Sequence, residues 1–352
     1  MILMTSQYSS LNDNVILQNQ TDSNLPCRWD LLIITNCEES LYMLWICYVS
    51  LVLCIIISIL SLAILVYKTF WINITMDPIK GFLIWMILYG IFRTVSMLIA
   101  TNDWIHDNYI IKSVVTALSW AFGCFAIATY LVSIFKVLPR LALNQHSIFS
   151  ISADLPEDHL TTNRFIPKIN STLKVYWTYT ITAFVLTLIL SILRGYFHEI
   201  GEEKSFNIIH TLLGVALGIS NVLGIVCFIK YGRLIIKLFD ESATLLGLMD
   251  VRSSQQTLCL ENYRIHLKKL QIMNFSLFAT VCWFGFFGFY AALMRGTIEK
   301  YMLWYIILAF MSLDGTTMTM LITLLGIIYG EIHKQYSIQA EEITNSIIYS
   351  EV

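Results

Sequence analysis

Charge is what this 352-residue chain has least of: Asp, Glu, Lys and Arg together make up 13% of it. A soluble globular domain carries roughly a quarter. Hydrophobic residues reach 57% and the mean hydropathy is +0.69, so water is not the only solvent the chain is built for. The net charge of −2 gives no ground for a nucleic-acid partner. Proline is scarce too, and all five, Pro26, Pro78, Pro139, Pro156 and Pro167, fall outside the long apolar runs. Helices built from those runs are expected to be unbroken. Of the seven histidines only His210 touches such a run, too few for a haem or zinc-hydrolase site at membrane depth. The last run has no lysine, which excludes a retinal Schiff base. An enzyme, a metal and a cofactor are therefore not expected. The first forty residues lack the basic start, short apolar core and small-residue cleavage site of a secretory signal.

What is present is a set of seven long apolar stretches, approximately 43–67, 81–100, 113–135, 175–193, 207–229, 271–294 and 302–329. About 20 apolar residues cover a hydrocarbon core of ~30 Å as a helix. Barrel strands would be about half as long and would alternate in polarity. The expected fold is an all-α membrane protein, a seven-transmembrane helix bundle over 43–329, with an N-terminal tail at 1–42 and a C-terminal tail at 330–352. Loops on the N-terminal side hold six Lys and Arg residues and those on the other side fifteen. The positive-inside rule then puts the N-terminus outside, or in a lumen, and the C-terminus in the cytosol. In that orientation Asn19 is the usable glycosylation acceptor, while Asn73 and Asn170 would be cytosolic and Asn274 lies in the sixth stretch. Cys27 and Cys37 share the oxidising side, where a disulfide is favoured over two free thiols.

Ionisable groups inside spans are costly and mark functional candidates. Arg93 lies in the second stretch and Asp314 in the seventh, each about twelve residues from its end, hence at similar depth for ~1.5 Å of rise per residue. A buried charge pair between them is the simplest way to tolerate both. It would either fix packing or form part of a polar cavity or switch. Tyr89, Ser96, Ser220, Asn221, Thr316 and Thr317 are the candidate polar lining of the bundle interior. Gly214 and Gly218, four apart, let helix backbones approach closely. The aromatic run Cys282 to Tyr290 reads as packing before it reads as a ligand box.

Seven spans in this orientation are loosely similar to G-protein-coupled receptors. The rhodopsin-like marks are missing, since the third stretch ends in Ser133, Ile134, Phe135 and Lys136 instead of an acidic-Arg-aromatic triplet. The segment that leaves the fifth stretch, Tyr231, Gly232, Arg233 and Leu234 with Glu241 and Ser242 beyond, resembles the Tyr-Gly-(Gly)-Arg-Leu and Glu-Ser stretch of the THH/TOM (tobamovirus multiplication protein) seven-transmembrane family and its animal orphan-receptor-like relatives. Arg93 and Thr94 after Tyr89 and Gly90 resemble that family's second-span arginine. In the last span the family pattern sets a proline after the acidic residue, whereas Asp314 is followed by Gly315. The resemblance implies a receptor-like, non-enzymatic membrane protein of vacuole- or lysosome-like endomembranes that recruits a cytosolic partner, a scaffold, small GTPase or G protein, through residues 231–242. A ligand-activated G-protein-coupled receptor with a small-molecule ligand and a small-solute or proton-coupled transporter are the alternatives for function, and the plasma membrane is the alternative location.

Overall fold

A computed structural model describes residues 27–72, 78–151, 169–237, 271–293 and 301–329, except 29, 30, 36, 38, 106, 235, 273, 287, 291 and 292. Almost all of these are helical: α1 Ser40–Tyr67, α2 Pro78–Asn102, α3 Tyr109–Ile151, α4 Ile169–Glu199 and α5 Glu203–Cys227. They are followed by a shorter apolar helix α6, Asn274–Tyr290, and by α7, which starts as Met302–Phe310 and runs on to Tyr329. Six helices, all but α6, are long and apolar enough to cross a bilayer. The chain is thus built as a multi-pass membrane protein, with no strand among the described residues beyond one isolated bridge. The sixth expected stretch, 271–294, is represented by the shorter α6. Asn19, Glu241, Ser242 and both outer tail segments, 1–26 and 330–352, lie outside the described residues.

Proline placement explains one helix start. Pro78 opens α2, where its missing N–H costs nothing. Pro139 lies within α3, which continues to Ile151, sixteen residues past the expected end at 135. At ~1.5 Å per residue that extends the helix by about 24 Å beyond the span.

Helices adjacent in sequence pack side by side, α1 on α2, α2 on α3, α3 on α4 and α4 on α5, and α7 returns to pack on α1. The centre of the bundle is α3: 72% of its most apolar window is buried, against 22% for α1 and for α5, whose exposed outer faces are largely apolar and aromatic. Its Phe122 and Phe125 are in mutual ring contact with each other and with Trp85 of α2. The α5–α6 contact is made by glycines. A Cβ on Gly288 would stand 3.2 Å from the Gly218 nitrogen and 3.4 Å from the Gly214 carbonyl oxygen. Backbone meets backbone there because side chains are absent.

The N-terminal tail does not stay outside the bundle. Cys27 and Cys37 are joined by a disulfide. Between them the chain folds back on itself through paired Arg28 and Ile33 bonds of 2.8 and 2.9 Å, with Leu32 in the left-handed region at φ 58°. Leu31, Leu32 and Ile34 are buried, and Leu32 and Ile34 share one cluster with Met43, Met97, Tyr305 and Leu313 of α1, α2 and α7. Glu39 accepts the Cys27 N–H at 2.9 Å, and the Tyr305 hydroxyl donates to the Cys27 carbonyl. The segment 27–39 is therefore a plug in one end of the bundle, and the boundary expected at 42 is not a packing boundary. Hydrophobicity alone hid it, because three apolar side chains are too few to register as a span.

Candidate functional site

Among the described residues, three π-turns interrupt or end the helices: Lys68–Ile72 after α1, Phe228–Gly232 after α5, and Met311–Gly315 inside α7. The third is at mid-span and contains Asp314. The expectation of unbroken helices fails here for a reason other than proline. A π-turn carries one extra residue per turn and widens the backbone ladder, which opens carbonyls to side-chain donors.

Those carbonyls are taken up from three directions. The Trp283 indole N–H of α6 donates to the Met311 carbonyl at 3.2 Å. Arg93 of α2 donates from Nη2 to the Ser312 carbonyl at 3.4 Å, and the Thr316 hydroxyl donates to the same oxygen. Thr317 donates to Leu313 at 2.7 Å and Ser312 to Ala309 at 3.1 Å, so the helix around the turn is laced by its own hydroxyls. Gly315 is required by this geometry. A Cβ there would lie 2.7 Å from the Trp283 ring.

Arg93 and Asp314 reach the same buried core, with 1% and 2% of their surface exposed. They do not close the expected charge pair. Both carboxylate oxygens of Asp314 and the Nε of Arg93 are buried without a hydrogen-bond partner. The guanidinium is spent on the Ser312 carbonyl and on the face of Trp120, whose ring centroid is 5.1 Å away. The physical reason is the π-turn, which supplies Arg93 with a backbone acceptor and leaves the adjacent carboxylate out of reach. The hydroxyl of Ser50 in α1 is likewise buried without a hydrogen-bond partner.

The remaining candidates divide. Tyr89 joins the core, its hydroxyl 3.3 Å from the Thr317 Oγ1, and Thr316 and Thr317 are fully buried beside it. Ser96 is fully buried as well, its hydroxyl donating to the Phe92 carbonyl of its own helix at 3.0 Å. Ser220 and Asn221 lie elsewhere. Ser220 lines a small, mostly apolar cavity among α3, α4 and α5, while the Asn221 amide donates to Leu217 at 2.8 Å. Tyr231 and Gly232 form the end of the π-turn after α5, with Lys230 over the Tyr231 ring at 5.3 Å, and Arg233 is exposed. Asn274 is buried and accepts the Tyr130 hydroxyl at 3.0 Å. Trp120, Trp283 and Ser312 are site members that composition did not single out, and only the aromatic run in α6 pointed near one of them. No group of His, Cys, Asp or Glu able to hold a metal ion occurs among the described residues.

No family model matches the chain, and neither a curated protein nor a solved structure matches it.

Proposed function

We infer that the chain is a receptor-like, non-enzymatic seven-span membrane protein, N-terminus outside and C-terminus cytosolic, that recruits a cytosolic protein partner. The observation that carries this reading is the chemical difference between the two ends of the bundle. One end is closed by a disulfide-bonded plug, a covalent device suited to an oxidising compartment. At the other end α3 continues past its membrane segment to Ile151 and α5 passes into the basic Lys230 and Arg233. A helical arm and basic loops on a cytosolic face offer a protein partner both surface and charge. The seventh span in this reading is α6 together with the apolar residues that follow it. Placement in an endomembrane, and a scaffold, small GTPase or G protein as partner, rest on the resemblance to the THH/TOM proteins.

Proximity labelling from an enzyme fused after Val352, compared with one fused before Met1, tests the reading. Enrichment of one cytosolic protein by the C-terminal fusion alone supports it. Labelling of cytosolic proteins by the N-terminal fusion refutes the orientation. One observation favours a second reading as a solute or proton-coupled transporter: α7 is interrupted at mid-span beside a buried, unpartnered carboxylate. Solute or proton flux in proteoliposomes that is lost in Asp314→Asn would establish it.

A further inference from the structure

We propose that the π-turn at Met311–Gly315 is a register switch, held in its present form by the disulfide-closed plug, whose conversion to α-helix hands Arg93 from the Ser312 carbonyl to the Asp314 carboxylate. The proposal rests on the receptor-like reading for its purpose but not for its geometry.

Three observations converge. First, the charges are in an exchangeable arrangement. Arg93 now serves a carbonyl that the widened ladder exposes, and Asp314 has no partner for either oxygen. In a continuous α-helix the Ser312 carbonyl accepts the Thr316 N–H, as every i carbonyl does with i+4. That oxygen already accepts from Arg93 and from the Thr316 hydroxyl, so the added N–H crowds Arg93 off it, and the nearest anion within the described core is Asp314. A carboxylate left bare at membrane depth is costly, so the exchange has a gain on its far side.

Second, the two halves of α7 are held differently. Beyond the turn, Met320, Leu324 and Ile327 are fully buried in the main core, and Thr323 bonds Ser276 of α6 at 2.9 Å. Before the turn, Leu303, Trp304, Ile307 and Phe310 face lipid, while Tyr305, Leu308 and Ala309 pack in the separate cluster formed with the plug. Turning such a segment exchanges apolar surface for apolar surface, and lipid exerts no hydrophobic preference among its faces. Third, the polar group that fixes the azimuth of this half inside the protein is the Tyr305 hydroxyl, and its acceptor is the carbonyl of Cys27 in the plug. Absorbing the extra residue of the π-turn rotates the outer half by about 100° against the inner half. The Tyr305–Cys27 bond cannot survive that turn. The plug is therefore the clamp, and whatever displaces it releases the switch.

The test uses the full-length protein in lipid nanodiscs with spin labels on non-natural residues, so that the native cysteines stay intact. One pair joins exposed Leu303, on the outer half of α7, to exposed Ile181 on α4; a control pair joins exposed Ile322, on the inner half, to Ile181. A 100° turn at a side-chain radius of 5–6 Å displaces the Leu303 label by on the order of 8 Å. The expected result is one main distance in the parent protein, and in Tyr305→Phe a second population for the Leu303 pair alone. Trp283→Phe, which removes the donor to Met311, should enlarge the same population, and Asp314→Asn added to either variant should shrink it. Unchanged Leu303 distances in folded Tyr305→Phe and Trp283→Phe proteins overturn the switch. Equal shifts in both pairs also overturn it, since they mark a rigid tilt. Neither readout uses a partner or ligand, so failure here is separate from failure of partner recruitment.

Discussion

Replacing Arg93 and replacing Asp314 should have very unequal effects, because only the arginine makes contacts. Arg93→Gln removes a charged hydrogen bond to the Ser312 carbonyl, worth about 1.5–3 kcal/mol when buried. It also removes a desolvated cation–π contact with Trp120, worth ~2 kcal/mol. It also takes away the positive charge nearest the buried Asp314 carboxylate, a further cost of the same sign. These terms overlap, and a loss of at least ~3 kcal/mol is the expected outcome. Asp314→Asn loses no hydrogen bond, since neither oxygen has one, and removes the ionisable group from the core. Its expected cost is within about 1 kcal/mol of zero. The double variant should be more stable than Arg93→Gln alone, because it removes the stranded carboxylate. Denaturant titration of the purified protein in mixed micelles, with free energies from linear extrapolation, measures all three. Equal losses for the two single variants, with full recovery in the double, would indicate a closed ion pair and refute the account of Arg93 as a backbone ligand.

Three further outcomes follow from the packing. Cys27→Ser or Cys37→Ser opens a loop with a sequence separation of 10, and chain entropy sets the loss at about 3 kcal/mol, seen as faster hydrogen exchange at Leu31 to Ile34 while α3 is unaffected. Gly288→Leu forces a side chain into the Gly214 and Gly218 backbone, for a cost of at least 1–3 kcal/mol and a drop in monodisperse yield on size exclusion. Tyr130→Phe deprives the buried Asn274 carbonyl of its donor where the Asn274 Nδ2 already lacks a partner, so about 1–3 kcal/mol should be lost in the same titration.

Legibility in the sequence tracked how much of a feature depends on hydropathy. The long runs that became α1 to α5 and α7 were readable because lipid requires about 20 apolar residues in a row, and no packing detail can relax that. The extension of α3 to Ile151 was not readable, since the switch from apolar to mixed residues near Lys136 marks the end of the membrane and not the end of the helix. The common depth of Arg93 and Asp314 follows from counting residues, and both do reach one core. Their lack of contact depends on a single extra residue in the α7 ladder, for which Gly315 and the hydroxyls Ser312, Thr316 and Thr317 are the local trace. Ser96 and Asn221 have the right polarity and are both buried, and each bonds a carbonyl four residues back on its own helix, a local contact that polarity alone does not reveal.

The two functional readings make different demands on the same core. A transporter needs space, a path by which a solute reaches Asp314 from one side and leaves by the other. Asp314 and Arg93 are almost wholly buried, and the end nearest them is filled by Leu32, Ile34 and the disulfide. A receptor needs a chain of contacts instead, by which a change at one face alters groups in the middle. Such a chain exists in physical form: the Cys27 carbonyl to Tyr305, Tyr305 through the backbone of α7 to the π-turn, and the Ser312 carbonyl to Arg93. Spatial continuity alone does not prove coupling; a two-state element along the chain would give it content. In the proposed register switch the π-turn is the two-state segment of this chain, and it adds to the support that the two unlike ends of the bundle give the receptor-like reading.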